Sequence, residues 1–539
     1  MLGQRFSLEV LRHLVGNKDY DAAPLVAHYL VRPFGDEYLF SHALIRDGVY
    51  GSLLTDQRLA LHLRAGTWFE NRNAGLTAEH LDRAESADAA AAYLIAAVAE
   101  IGRYRYDSAL RAVERGIEIA ALPQDRFALA NARARVLANL GRTEEAIEAF
   151  EAALELAQND IDKCQAWIGM AAGMRVISRY DEALERLDKA EAVAKSHNFV
   201  TELAQIHYHR GSIYFLTSRV DGCLEQHEMA RDFAHRADSP EDEARALSGL
   251  ADAVYSQGRM VTAHEYFARC VALSSRHGFG AIEAANIAPR EMTRYYKNDL
   301  KTAGENILEA ANFARTVGNH RAEMVARSIG GAILVDLGEI DEARSQREQS
   351  LEVGERIGAR QWLPFCYTQL GRILGLTGRR DEAVREVKGA LDICREAKAM
   401  GLWGPWLLGV LAVVAEDRAE RDNVLAEGAR IIADGCVGHC TLWFHRDAMD
   451  SALAWTEWDK AEACATALEA FTSDEPLPWS DLLIRRTRAL ACFGKGARDD
   501  DTVAALRDLV DEFDRVGLRA DLPALEQALD AAAARTKAG

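Results

Sequence analysis

The chain has 539 residues, 49% of them hydrophobic and 27% charged, with a formal net charge of −19 and only 10 prolines. That balance excludes a disordered polymer and favours helices with few breakers, and a strongly acidic chain is a poor general surface for nucleic acid, whose phosphates need clustered Lys and Arg. Nine scattered cysteines do not form the dense framework of a small secreted domain, and neither an apolar run of about 18 residues nor a signal peptide is present, so the expected setting is the reducing cytoplasm, away from membranes.

The first 70 residues read as a separate module. "RFSLEVLRHLV" has helical spacing, and "PLVAHYLVRPFGD" suggests a second helix ending at Pro33 or Gly35. A short strand is expected at Tyr38 to Phe40. Helices are then expected from about Ser41 and from about Asp56, with those two residues as N-caps. Helix, helix, strand with a turn, then helix is the order of a winged-helix module. Phe40, His42, Leu44, Ile45, Arg46, Val49, Tyr50, Leu53, Leu54, Arg58 and His62 resemble the segment that joins nucleotide-binding engine to repeats in STAND-class signalling ATPases, including bacterial adenylate/guanylate cyclase-ATPase-repeat proteins. The resemblance implies that His42 senses the phosphate end of a nucleotide; its own residues read as a helix-start histidine. A phosphate-binding loop is absent: around Gly494 and Lys495, Ala489 replaces the first glycine and Gly496 the hydroxyl. On this reading the chain starts inside a switch module whose motor, an ATPase or cyclase, lies upstream.

From about residue 71 the chain repeats. "SRYDEALERLDKA" from Ser178, "GRMVTAHEYFARC" from Gly258, "GEIDEARSQREQS" from Gly338 and "GRRDEAVREVKGA" from Gly378, with intermediate copies from Ser218 and Asn298, set a period of 40 residues. Earlier units, from "RYDSAL" at Arg105 and "RTEEAI" at Arg142, step by 37. Small residues recur at Ala183, Cys223, Ala263, Ala303, Ala343 and Ala383, and again two turns on at Ala190, Ala230, Cys270, Ala310, Ser350 and Ala390. Two helices approach closely only where side chains are short, so these positions mark helix crossings. This spacing resembles the tetratricopeptide repeat (TPR) and implies an all-α, right-handed superhelix of about eleven hairpins. Repeats are assigned to residues 71–400, with the resemblance good from about 88, and degenerate repeats with a capping helix that closes the array to residues 401–539. Glu291, Arg210 and Arg290 stand where small or leucine residues are expected, and they predict splayed helices.

A solenoid of this kind has a concave face lined by the first helix of each hairpin, so its function is expected to be binding. One residue per unit falls at the same place: Arg175, Phe215, Tyr255 and Tyr295, then Val335, with Tyr208 and Tyr296 beside them. These residues either line a groove for an extended peptide or helix, or fill the gaps between hairpins. Cys436, His439, Cys440 and His445 supply donor atoms for zinc, but their segment reads as a helix start without the usual turn knuckles, so no metal is expected. "LWGPWLLGVLAVV" from Leu402 reads as core.

No catalytic residue or cofactor is expected. The chain reads as a non-catalytic scaffold or sensor arm whose solenoid takes a protein or peptide and thereby biases an attached switch. Two alternatives remain: the regulatory C-terminal part of a cyclase or STAND ATPase, and a repeat-containing transcriptional regulator, although no helix-turn-helix signature is visible.

Overall fold

The computed structural model describes residues 2–536. They form two compact units, divided between Met170 and Ala171.

The first unit opens with a three-stranded antiparallel sheet. Strand β1 (Arg5–Ser7) leads into helix α1 (Leu8–Val15), a short helix α2 (Ala23–Ala27) follows, and strands β2 (Val31–Phe34) and β3 (Glu37–Phe40) form a hairpin. The order is β1-β3-β2, with Phe6 opposite Tyr38 and Val31 opposite Phe40. Phe6, Val10 and Val31 make a small core with Tyr38, Phe40 and Trp68 against it. The helical reading of residues 24–35 was too long: a helix stops at Ala27 and residues 31–34 are strand, because "VRPF" places Pro33 on an outer strand, where its missing N–H costs nothing. Ser41 and Asp56 are not the caps. Helix α3 (Ala43–Ser52) is capped by His42, whose Nδ1 accepts the Leu44 N–H at 3.2 Å, and α4 spans Thr55–Phe69 behind Leu54.

From Ala89 the described chain reads as eleven two-helix units, ending with Leu522–Thr536 as a terminal helix. The small residues of the repeat lie where the helices cross: Ala97, Ala109, Ala134 and Ala146 in the first unit, and Ala183, Cys223, Ala263, Ala303, Ala343 and Ala383 in the second, are all fully buried. The out-of-pattern charges are each met by partners. Glu291 is fully buried and accepts from Arg290 Nε at 2.7 Å, Arg294 Nε at 2.8 Å and Asn306 Nδ2 at 3.1 Å, while Arg210 pairs with Asp188 at 2.7 Å and Glu191 at 2.6 Å. A paired charge can occupy such a site because its partners replace the lost water.

The second unit winds back onto itself. Ser178 Oγ donates to Gln361 Oε1 at 2.5 Å across 183 residues, and Trp479 Nε1 donates to Tyr295 Oη at 2.9 Å across 184. Between these, Gly438 lies so close to the Gly258 backbone that no Cβ would fit, and the Glu475 carboxylate accepts from Val261 N at 2.7 Å and Thr262 N at 3.2 Å. Successive turns of the solenoid, roughly four and a half repeats each, are therefore in contact. This closure accounts for two features of the chain. The compact unit begins inside a repeat because the described residues from 171 onward share contacts between turns, and the repeat signature fades after residue 400 because the later first helices turn large residues inward. Trp406, Trp443 and Trp479 are among the most buried side chains described.

Candidate functional site

Of the six residues expected in the groove, Arg175, Tyr208, Phe215 and Tyr255 line one cavity of about 190 Å³ in the second unit. The 40-residue period puts Arg175, Phe215 and Tyr255 at equivalent places on successive first helices, and the following turn of the solenoid supplies the facing wall with Trp362, Phe365, Trp403, Trp406 and His439. Ala285 at its edge is exposed, so the cavity reaches solvent.

Tyr295 and Tyr296 do not belong to it. Both are fully buried, because the lumen at their level is filled by the later hairpins. Tyr296 Oη accepts from Trp443 Nε1 at 2.8 Å, and Tyr295 Oη donates to Asp336 at 2.5 Å while accepting from Trp479. Asp336 also takes Arg372 at 2.7 Å and Arg446 at 3.0 Å. Burial pushes its pKa up, but those two guanidiniums more than offset this and hold the carboxyl at about 2.

His42 is exposed in the first unit, where it caps α3. Nor do the four zinc-type donors converge: His439 Nε2 donates to the Leu402 carbonyl at 2.7 Å and Cys440 Sγ to the same oxygen at 3.1 Å. Among the described residues no group of three or more His, Cys, Asp or Glu is placed to hold a metal ion.

The cavity also holds charges that the sequence reading missed. Asp252 lies one helical turn before Tyr255, and Arg321 comes from the helix His320–Asp336. Burial raises the Asp252 carboxyl to about 7 against the opposing pull of Arg321 and Arg175. Burial, reinforced by Arg175, lowers Arg321 to about 10. The Arg321 guanidinium lies 4.9 Å from the centre of the Trp362 ring. The i, i+3 spacing of Asp252 and Tyr255 was a readable signal, whereas Arg321 and the tryptophans arrive by winding, which no local pattern encodes.

The arrangement offers stacking faces, hydrogen-bond donors and charges of both signs, which suit recognition. Residues 127–160 match the family model for the tetratricopeptide repeat. An uncharacterised protein of Rhizobium meliloti (strain 1021) is 22% identical over 429 residues, covering 73% of this chain and 41% of that protein, so the chain spans about two fifths of its relative's length. Three solved structures share the fold. A STAND protein with a tetratricopeptide repeat sensor from Pyrococcus horikoshii has a TM-score of 0.51 at 14% identity, covering 74% of this chain and 63% of that one. A Rap protein complexed with competence and sporulation factor has a TM-score of 0.50 at 13% identity (65% and 98%), and the hetero-tetramer Cut9-Hcn1 has 0.51 at 13% (89% and 92%). No described helix is long and apolar enough to cross a membrane. The chain thus contains a tetratricopeptide-repeat α-solenoid, an architecture suited to protein interaction.

Proposed function

We propose that this protein is a non-catalytic, cytoplasmic sensor arm that binds a peptide or protein segment in the cavity of its second unit and signals by a change in winding. The observation that carries this reading is the two-sided construction of the cavity. Arg175, Tyr208, Phe215 and Tyr255 stand on one turn, and Trp362, Trp403 and Trp406 on the next. A ligand touching both walls favours the closed arrangement over any more open one, and its differential affinity is the energy available for a switch. The Rap protein named above was crystallised with competence and sporulation factor, and that precedent on a similar fold supports a peptide as ligand.

Affinity selection from a synthetic random-peptide mixture with free termini, read by mass spectrometry, tests this. Enriched peptides are expected to bind the intact protein and to lose about tenfold, or ~1.4 kcal/mol, on Tyr208→Ala or Phe215→Ala, with helical signal and melting unchanged. The proposal fails if nothing is enriched, or if enriched peptides bind both variants as well as wild type.

A second reading assigns the chain to the regulatory part of a cyclase or STAND ATPase. It is supported by the N-terminal sheet module and by α3, which buries none of its residues and leaves Leu44 72% exposed. Purified chain is then expected to turn over no ATP by itself, and measurable turnover would overturn the non-catalytic assignment.

A further inference from the structure

Three N–H donors on the cavity wall have no acceptor: Arg175 Nε, Trp362 Nε1 and Trp406 Nε1. Trp406 is 1% exposed and Trp362 9%. Trp403, the neighbouring indole on the same wall, has its N–H satisfied within the chain: its Nε1 donates to the Gln361 carbonyl at 2.8 Å. Buried donors are rarely left unpaired, because each forfeits its hydration without return. These orphan donors belong to both walls of the cavity, Arg175 to one turn and the two indoles to the next, so an acceptor held between the turns would meet them together. The charges point the same way. Arg175, Arg321 and Asp252 are the ionisable side chains of formal charge on the lining, and neither arginine comes within the 4.0 Å of an ion pair with Asp252. His439, the remaining titratable ring besides the tyrosines, is held neutral: burial lowers it to about 4, and its Nε2 proton is spent on Leu402. With Asp252 ionised, the lining carries one net positive charge. A single negative charge cancels it, whereas a dianion needs an extra proton to be held there.

We infer that the cavity is built for a monoanionic carboxylate on an aromatic or apolar body, its oxygens received by Arg175, Arg321 and the free indole N–H groups of Trp362 and Trp406, and its body stacked among Tyr255, Phe365 and the tryptophans. This rests on the binding function proposed above and names its ligand chemistry. Two sources supply that chemistry, the free C-terminus of a peptide ending in an apolar residue and a small arylalkanoic acid. A guanidinium receives a carboxylate with two parallel N–H bonds, which gives both strength and orientation.

The test uses the full chain and tryptophan fluorescence with paired probes: 3-phenylpropionate against 3-phenylpropionamide, N-acetyl-Gly-Phe acid against its carboxamide, and phenyl phosphate as the dianion. At least one acid is expected to bind about tenfold tighter than its own amide and tighter than the phosphate, and R175M and R321M are each expected to erase that preference. Because a site kept for a ligand is strained without one, the same variants should melt at or above the wild-type temperature. A stronger dipeptide acid identifies a peptide C-terminus as the source, and a stronger phenylpropionate identifies a free acid; either supports the inference. Acid and amide binding alike, no acid binding at millimolar concentration, preference for the phosphate, or variants that melt several degrees lower would each overturn it. Peptides selected as described above that bind equally as acids and amides would sink this inference while leaving the peptide-binding function standing.

Discussion

At the scale of single residues, the second unit depends on polar groups satisfied deep in the solenoid. Asp336 is fully buried and receives Arg372, Arg446 and the Tyr295 hydroxyl; Arg446 is shared with Asp521 at 2.9 Å. Removing the carboxylate strands Arg372 and leaves Arg446 with Asp521 alone, in a medium that solvates guanidiniums poorly, and breaking one side of a buried pair typically costs about 3–5 kcal/mol. Asp336→Ala is expected to lose that amount in urea unfolding, whereas Tyr295→Phe, which removes one hydroxyl and leaves the charges paired, is expected to lose about 1–2 kcal/mol. Equal losses from the two variants would show that the tyrosine, and not the ion network, organises this core. The contrast also separates Tyr295 from the ligand-facing aromatics: its loss should be felt in stability, and that of Tyr208 or Phe215 in binding.

At the scale of elements, α4 and the helix Ala74–Arg83 are joined by two neutral imidazoles. His62 Nδ1 and His80 Nδ1 are 2.9 Å apart, and His62 Nε2 meets Tyr50 Oη at 3.0 Å. One imidazole must donate and the other accept, which two imidazolium ions cannot do. Burial, and for His62 next the charge of His80, lowers both pKa values from 6.5 to about 4. The unfolded chain therefore binds more protons than the folded one between these values, so the contribution is intact above about pH 6.5 and is lost as pH falls from there toward 4. Hydrogen-exchange protection of residues 55–83, corrected for intrinsic rate, is expected to fall across that window in wild type and to stay flat in His62→Gln/His80→Gln. A flat wild-type profile would contradict the assignment. These elements also show what the sequence exposes and what it hides. Crossing alanines such as Ala183 and Ala263 were legible because a close helix approach admits few side chains. The N-terminal strands were only partly so, since a four-residue strand like Val31–Phe34 gives no period to count, and β1, on the other edge of the sheet, pairs with β3 some thirty residues away. The candidate site divides along the same line: Arg175, Phe215 and Tyr255 followed from a 40-residue period, while Arg321, Trp362 and Trp406 depend on which turn of the solenoid lies opposite.

At the scale of the whole second unit, the seam between turns decides whether that opposite wall exists. A solenoid repeat is stabilised mainly by its neighbours, so hairpins can remain folded while turns separate. Gly438 is the tightest point of the seam that a single substitution reaches: a Cβ there would lie 2.6 Å from Gly258 Cα and 2.9 Å from the Tyr255 carbonyl oxygen, both backbone atoms that cannot rotate away. Gly438 is also the first residue of the helix Gly438–Ala454, where a side chain adds no helix penalty of its own. Gly438→Val is therefore expected to push the turns apart with the hairpins intact. Small-angle scattering should show a larger radius of gyration at nearly unchanged helical circular dichroism, and the cavity should lose its second wall, so that selected peptides bind at least about tenfold more weakly. Because Tyr255 contributes both its carbonyl to the seam and its ring to the cavity, the same contact that sets the winding sets the site. A wild-type ligand should then act in the opposite sense, making the closed form more compact and more resistant to proteolysis between residues 430 and 440. If Gly438→Val binds ligand normally while its radius of gyration has grown, winding and binding are independent, and the switch mechanism must be abandoned even though the cavity remains a binding site.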